Sequence, residues 1–169
     1  MLKQKTTILL ADIIIENEAW DAIENLEQVV NETCALVASH LELGKFIDQA
    51  DLSVVLTDDE QIRSLNKDYR GKDTATNVLS FPLEELHYSN PSELKVLNNS
   101  SIGDIVISYD TLFRESGEQN KNFIEHFKHL LIHSILHLLG YDHDNENDAE
   151  AMESEEIKIL AKMNINSPY

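Results

Sequence analysis

Runs of β-branched residues and apolar positions at helical spacing succeed one another along this chain. Residues 5–15 (Lys-Thr-Thr-Ile-Leu-Leu-Ala-Asp-Ile-Ile-Ile) concentrate β-branched side chains and predict a first strand. From Ala19 to about Leu41 the apolar residues Ile23, Leu26, Val30, Cys34, Val37 and Leu41 recur at steps of three and four. That spacing places them on one stripe of an amphipathic helix. Asp51–Leu56 returns to strand character. Thr57-Asp-Asp-Glu60 then matches a capping box, opening a helix with Ile62, Leu65 and Tyr69 on its inner face and a stop near Gly71. Residues 77–82 predict a short strand ended by Pro82 and hence close to a sheet edge. Residues 84–100, with Asn-Pro, Asn-Asn and several serines, predict a long surface loop, and Gly103–Ser108 a fourth strand.

The remainder reads as helix: a short one over Tyr109–Ser116, a longer one from about Lys121 to Leu139 ended by Gly140, and a last one from about Asp148 to Met163. Strands and helices mix without strict alternation. The expectation is one α+β layered domain over residues 1–169, with a small four-stranded mixed sheet, about five helices and a metal site in a cleft.

Composition adds limits. The chain is 42% hydrophobic and 26% charged, as expected of a soluble protein with a substantial core. No apolar run approaches the roughly 18 residues needed to cross a bilayer. Ile8–Ala11 is cut short by Asp12, a poor signal-peptide core. The single cysteine, Cys34, excludes an intramolecular disulfide, reads as a small apolar helix residue and favours a cytoplasmic location. The 31 acidic against 13 basic residues give a formal charge of −18. A field of that sign repels nucleic acid and anionic membranes, so any nucleic-acid chemistry must rest on a local basic patch or a bound cation.

The chemistry is concentrated in His133-Ser-Ile-Leu-His137-Leu-Leu-Gly140-Tyr-Asp-His143. Histidines four apart share a helix face, about 5–6 Å between Cβ atoms, within reach of one ion. Gly140 permits a positive φ, so the chain can turn and bring His143 in as a third ligand. Three neutral imidazoles with a vacant fourth position describe a catalytic zinc site, one Zn2+ per chain, although nickel or another divalent transition metal suits the same donors. The spacing is also that of metzincin proteases, which carry a glutamate base directly after the first histidine. Ser134 stands there, so peptide hydrolysis by that route is disfavoured. Asp142, adjacent to a ligand, is a candidate to orient His143 as a hydrogen-bond acceptor; Asp104 is a second candidate but reads first as a strand-end residue. His129, four before His133, borders the same helix face and reads as an ordinary, partly exposed histidine; His40 and His87 lack metal-like context.

A second constellation is Leu65-Asn-Lys-Asp-Tyr-Arg70-Gly-Lys72-Asp-Thr-Ala-Thr-Asn77-Val-Leu-Ser80-Phe-Pro82. Arg70 offers a planar fork of donors suited to phosphate oxygens, and Lys72 and Ser80 are candidate substrate contacts. Composition alone reads this loop first as a solvated turn with a surface salt bridge, and pattern alone does not place it beside the histidines.

With Gly103-Asp104-Ile105-Val106-Ile107, these blocks resemble the YbeY endoribonucleases, or rRNA maturation factors, in the family's order and over about half the chain. Ser134 replaces the glycine usual after the first ligand, and Ala75 a frequent proline; neither change removes a ligand or Arg70. The resemblance implies a cytoplasmic, metal-dependent enzyme cleaving single-stranded RNA, acting in ribosomal RNA maturation at the 3′ end of the small-subunit RNA and in ribosome quality control. It implies His133, His137 and His143 as zinc ligands and Arg70 as the catalytic arginine. Implied partners are single-stranded RNA, ribosomal RNA and the small ribosomal subunit with its proteins, and no membrane. Two other readings fit the residues: a zinc peptidase or amidase, and a non-catalytic ribosome-associated factor with structural zinc.

Overall fold

The computed structural model describes residues 7–169. Four strands, β1 (Leu9–Ile15), β2 (Ala50–Thr57), β3 (Val78–Pro82) and β4 (Ser101–Ser108), form one mixed sheet in the order β1-β2-β4-β3. β1 and β4 run parallel to β2, and β3 closes the far edge antiparallel to β4. Pro82 is thus tolerated on an edge strand, opposite Gly103. Among the described residues there are five α-helices: α1 (Leu26–His40), α2 (Asp59–Arg70), α3 (Tyr109–Glu118), α4 (Phe123–Leu138) and α5 (Glu146–Lys162). The four-stranded mixed sheet and α+β layering match the sequence expectation.

Each strand's inward positions decide which helix it meets. Leu52, Val54 and Leu56 of β2, with Ile105 and Ile107 of β4, join the main core against α1 and α4. Val55 and Val106, pointing the other way, meet α2 through Ile62 and Leu65 in a smaller cluster with Leu79 and Phe81. Trp20 fills the end of the main core, its indole N–H donating to the Thr57 carbonyl at 3.0 Å and its ring edge-on to Tyr109.

Several boundaries depart from the pattern. The strand expected from residue 5 begins at Leu9, and residues 5 and 6 lie outside the described part. A 3₁₀ turn over Glu18–Ala22 precedes α1, which starts only at Leu26, after Asn25 at φ 56°. The cap of α2 is Asp58, not Thr57: its carboxylate accepts from the Gln61 N–H, while Thr57 stays paired in the sheet opposite Ser108. Tyr69 is 70% exposed and not on the inner face; its ring meets Phe81 edge-on over the rim of the small cluster. Within the predicted loop 84–100, Pro91–Leu97 forms a 3₁₀ turn that buries Leu97 completely.

Two close approaches fix α4 against the sheet. A Cβ at Gly103, φ 134°, would sit 2.2 Å from the Phe81 carbonyl and 3.0 Å from Leu138, so only glycine lets β3, β4 and the end of α4 meet. Gly140, φ 98°, ends α4 with a backbone turn in which the Tyr141 N–H donates to the Leu136 carbonyl and the Gly140 N–H to that of His137.

Candidate metal centre

His133 and His137 lie one turn apart near the end of α4, which Asn122 caps by accepting from the Ile124 and Glu125 N–H groups. The turn at Gly140 carries the chain back past the helix end. A side chain at Gly140 would strike the Leu86 backbone at 2.8 Å, and the Tyr88 N–H donates to the Gly140 carbonyl at 3.1 Å. The same turn brings His143 beside the other two rings, with ring centroids 5.0 Å from His137 and 5.9 Å from His133. One nitrogen from each of the three lies within 4.8 Å of the others, a cluster able to hold a metal ion.

The hydrogen bonds behind the rings settle which nitrogens face inward. His133 Nδ1–H donates to Glu156 Oε1 at 2.6 Å, and His137 Nδ1–H donates to the Tyr141 carbonyl at 3.0 Å. Their Nε2 atoms then lie 3.1 Å apart. In the neutral tautomers that put both protons at Nδ1, two lone pairs face each other, an arrangement that is repulsive until a cation stands between them. The gap is close to the roughly 3.3 Å expected for two ligands about 2.0–2.1 Å from one tetrahedral ion. Burial, reinforced by the neighbouring His133 and His143, depresses the His137 pKa to about 4, so this ring is neutral at pH 7, the form that ligates. The donor set therefore fits a borderline divalent ion such as zinc.

Glu156 was not singled out in the sequence. It comes from α5, 23 residues beyond His133, and is fully buried. Burial pushes its carboxyl up, yet the His129 and His133 imidazoles and the Tyr169 hydroxyl outweigh that and hold it at about 2. An acidic residue among Met152, Ile159 and Leu160 on the buried stripe of α5 is the signal that marks it. His129 lies behind His133 with its side chain only 14% exposed, its Nε2 3.4 Å from Glu156 Oε1. It does not line the cleft described next.

The histidines open onto a cleft of about 420 Å³ that Arg70, Asn77, Ser80, Pro82, Asp142 and Asp144 also line. Strand alternation explains the β3 contribution: Val78, Ser80 and Pro82 border the cleft while Leu79 and Phe81 pack beneath α2. Arg70 is the last residue of α2, exposed, and without an ion-pair partner among the described residues. The fold thus brings the basic loop to the histidines, a juxtaposition the sequence left open. Lys72 and Asp104 are exposed and do not line the cleft. The Asp142 carboxylate accepts from the His143 backbone N–H at 2.8 Å, steadying the turn rather than the ring. Asn77, quoted in the loop but given no role, lines the cleft and donates to Glu115 on α3. A second recess of about 380 Å³ adjoins on the other side, bordered by Glu84, Glu85, His87, Asp142, Asp144 and Asp148.

The family model described as endoribonuclease YbeY matches residues 14–164. A protein of Rhodopseudomonas palustris (strain BisB5) named endoribonuclease YbeY is 38% identical over 97% of this chain and 83% of its own length. Proteins of the same name from Nitrobacter winogradskyi (39% identity; 100% of this chain, 85% of the relative) and Ruegeria sp. (38%; 95% and 96%) are similarly close. A solution structure of a Thermotoga maritima protein shares the fold, with a TM-score of 0.56 at 22% identity over 92% of both chains. On the family match and these relatives, the chain belongs to the endoribonuclease YbeY family.

Proposed function

We propose that this chain is a zinc-dependent endoribonuclease that cleaves single-stranded RNA, acting in the cytoplasm on ribosomal RNA at the 3′ end of the small-subunit RNA and in ribosome quality control. The small ribosomal subunit and its proteins are the partners this role requires. A single metal-dependent endoribonuclease domain accounts for residues 1–169. No helix among the described residues is long and apolar enough to cross a membrane. The observation that carries the reading is the pair of imidazole Nε2 atoms facing each other at 3.1 Å with both Nδ1 protons engaged, opening into the cleft that holds Arg70.

His133, His137 and His143 would hold the ion, which when bound supplies Lewis acidity and lowers the pKa of water. The chain's own groups do the rest. Arg70 lines the cleft with a guanidinium of fixed charge whose planar fork of N–H donors suits a phosphodiester gaining negative charge during displacement. Ser80 and Asn77 offer hydrogen bonds from the β3 side, while Asp142 holds the turn that carries His143. The strongly acidic surface leaves Arg70 as the cation within the cleft lining, so engagement of a strand is local.

A peptidase reading finds no support at position 134. Ser134 is fully buried and does not line the cleft, so nothing there replaces a glutamate base. The test is turnover of single-stranded RNA against duplex RNA and casein by the zinc-loaded protein. Cutting confined to single-stranded RNA, and lost on chelation, is expected. Casein turnover would reverse the reading, and tight binding to small subunits without cleavage would favour a structural metal.

A further inference from the structure

We propose that Tyr169 is a positioning residue of the metal centre, acting through Glu156 to fix the ring of His133; the inference rests on the metal-binding reading above. Glu156 is wholly buried on the inner face of α5, and a buried carboxylate is costly unless its oxygens are hydrogen-bonded. Its two oxygens have separate partners. Oε1 accepts from His133 Nδ1 at 2.6 Å, and Oε2 accepts from the Tyr169 hydroxyl at 2.5 Å. The terminal torsion of a glutamate is broad, so one hydrogen bond leaves the carboxylate plane free to turn. Two donors on opposite oxygens fix the plane, and with it the direction from which His133 is held.

The segment beyond α5 is built to deliver that hydroxyl. Asn164, at φ 59°, turns the chain, and the Ile165 N–H donates to the Leu160 carbonyl at 3.0 Å while Ile165 packs against the main core. Tyr169 then sets its ring edge-on to His129, centroids 5.9 Å apart at 88°. The ring is largely outside, yet its hydroxyl reaches a carboxylate with no exposure of its own. A chain of contacts thus runs from the surface through Tyr169 and Glu156 to an imidazole of the metal cluster.

The experiment measures zinc affinity by competition with a chromophoric chelator, the visible spectrum of the cobalt(II)-substituted protein, and the melting point of the metal-free protein. Glu156→Gln should weaken zinc by about 10–100-fold, the usual cost of removing a ligand's own hydrogen-bond partner. Tyr169→Phe keeps the ring and removes only the hydroxyl; it should weaken zinc by a smaller factor, about 3–10-fold, and shift the cobalt bands, with the metal-free melting point lowered slightly because Glu156 Oε2 loses its donor. In the double variant the two losses should fall short of their sum, since Tyr169→Phe acts through the side chain at position 156. Parental affinity and cobalt spectrum in Tyr169→Phe would overturn the proposal, as would a loss that adds in full to that of Glu156→Gln. Should Glu156→Gln fail to fold, Tyr169→Phe alone decides. A parent protein that takes up neither zinc nor cobalt would end the metal reading itself, a result distinct from a parent that binds both and a Tyr169→Phe variant that matches it.

Discussion

The two sides of the cleft are built on opposite plans. On one, His133 and His137 rise from a capped helix in the main core, each ring tied from behind by a carboxylate or a carbonyl. On the other, Arg70 stands exposed at the end of α2, with no ion pair among the described residues. The difference separates two tasks. Ligand rings must be held before the ion arrives, because affinity depends on donors already converged. A cation meant for a phosphate must keep its donors uncommitted, since a resident carboxylate would have to be displaced first.

The comparison breaks most completely at His137. Its Nε2 faces that of His133, and its Nδ1 ties the turn that carries His143, so His137→Ala removes one ligand and loosens another. Elemental analysis should find almost no bound metal, and RNA cleavage should fall to background. A full metal complement would separate the histidines from the ion altogether. His143→Ala should do less damage to binding, because His143 is exposed and neither of the other two rings depends on it for a hydrogen bond.

Arg70→Ala should show the opposite profile. Nothing in the fold leans on this guanidinium, so melting point and metal content should match the parent. Cleavage should drop by about 10²–10³, as when one preorganised donor to a developing charge is removed. Arg70→Lys should recover part of that, keeping the charge without the planar fork. If cleavage survives Arg70→Ala intact, the exposed side of the cleft has no part in the chemistry.

Gly140→Ala tests whether the two plans meet at the turn. A side chain there combines a φ of 98° with a 2.8 Å approach to the Leu86 backbone. The expected cost is on the order of 1–3 kcal/mol, read as a melting point lower by several degrees. Zinc affinity should fall with it, because the displaced turn carries both His143 and the Tyr141 carbonyl behind His137. A lowered melting point with unchanged affinity would mean that the ligands adjust independently of the turn.

How much of this was legible in the sequence follows from how local each signal is. The helix period, the four-residue spacing and the glycine stop are all local, and they placed His133, His137 and the turn to His143 correctly in one cluster. The four strands were also read from local signals: β-branched runs, and Pro82 as a strand end. What local pattern could not supply is pairing across distance. Glu156 contacts His133 from another helix, and its one visible mark was an acid on the buried stripe of α5. Arg70 meets the cleft only because β3 pairs antiparallel at the sheet edge and α2 ends beside it. Tyr69 misled for the converse reason: its helical phase suits burial, but at the last turn of α2 it meets the Phe81 ring of edge strand β3 only edge-on and stays largely exposed.

The smallest expected effect lies where the cleft changes sign. Beyond His137 the adjoining recess carries Glu84, Glu85, Asp144 and Asp148, so a strand held by Arg70 meets repulsion if it continues that way. Glu84 and Glu85 are exposed and support no ligand, which makes them the safe pair to neutralise. Their charges act through solvent, over a screening length of about 10 Å at 0.1 M salt. Glu84→Gln with Glu85→Gln should therefore raise kcat/KM on single-stranded RNA by a few-fold at low ionic strength, leave kcat and metal content alone, and lose its advantage as salt is added. The salt dependence is the decisive part, because a gain that persists at high salt would come from contacts rather than charge. No gain at any salt would mean that bound RNA never approaches the recess and leaves the cleft wholly on the Arg70 side.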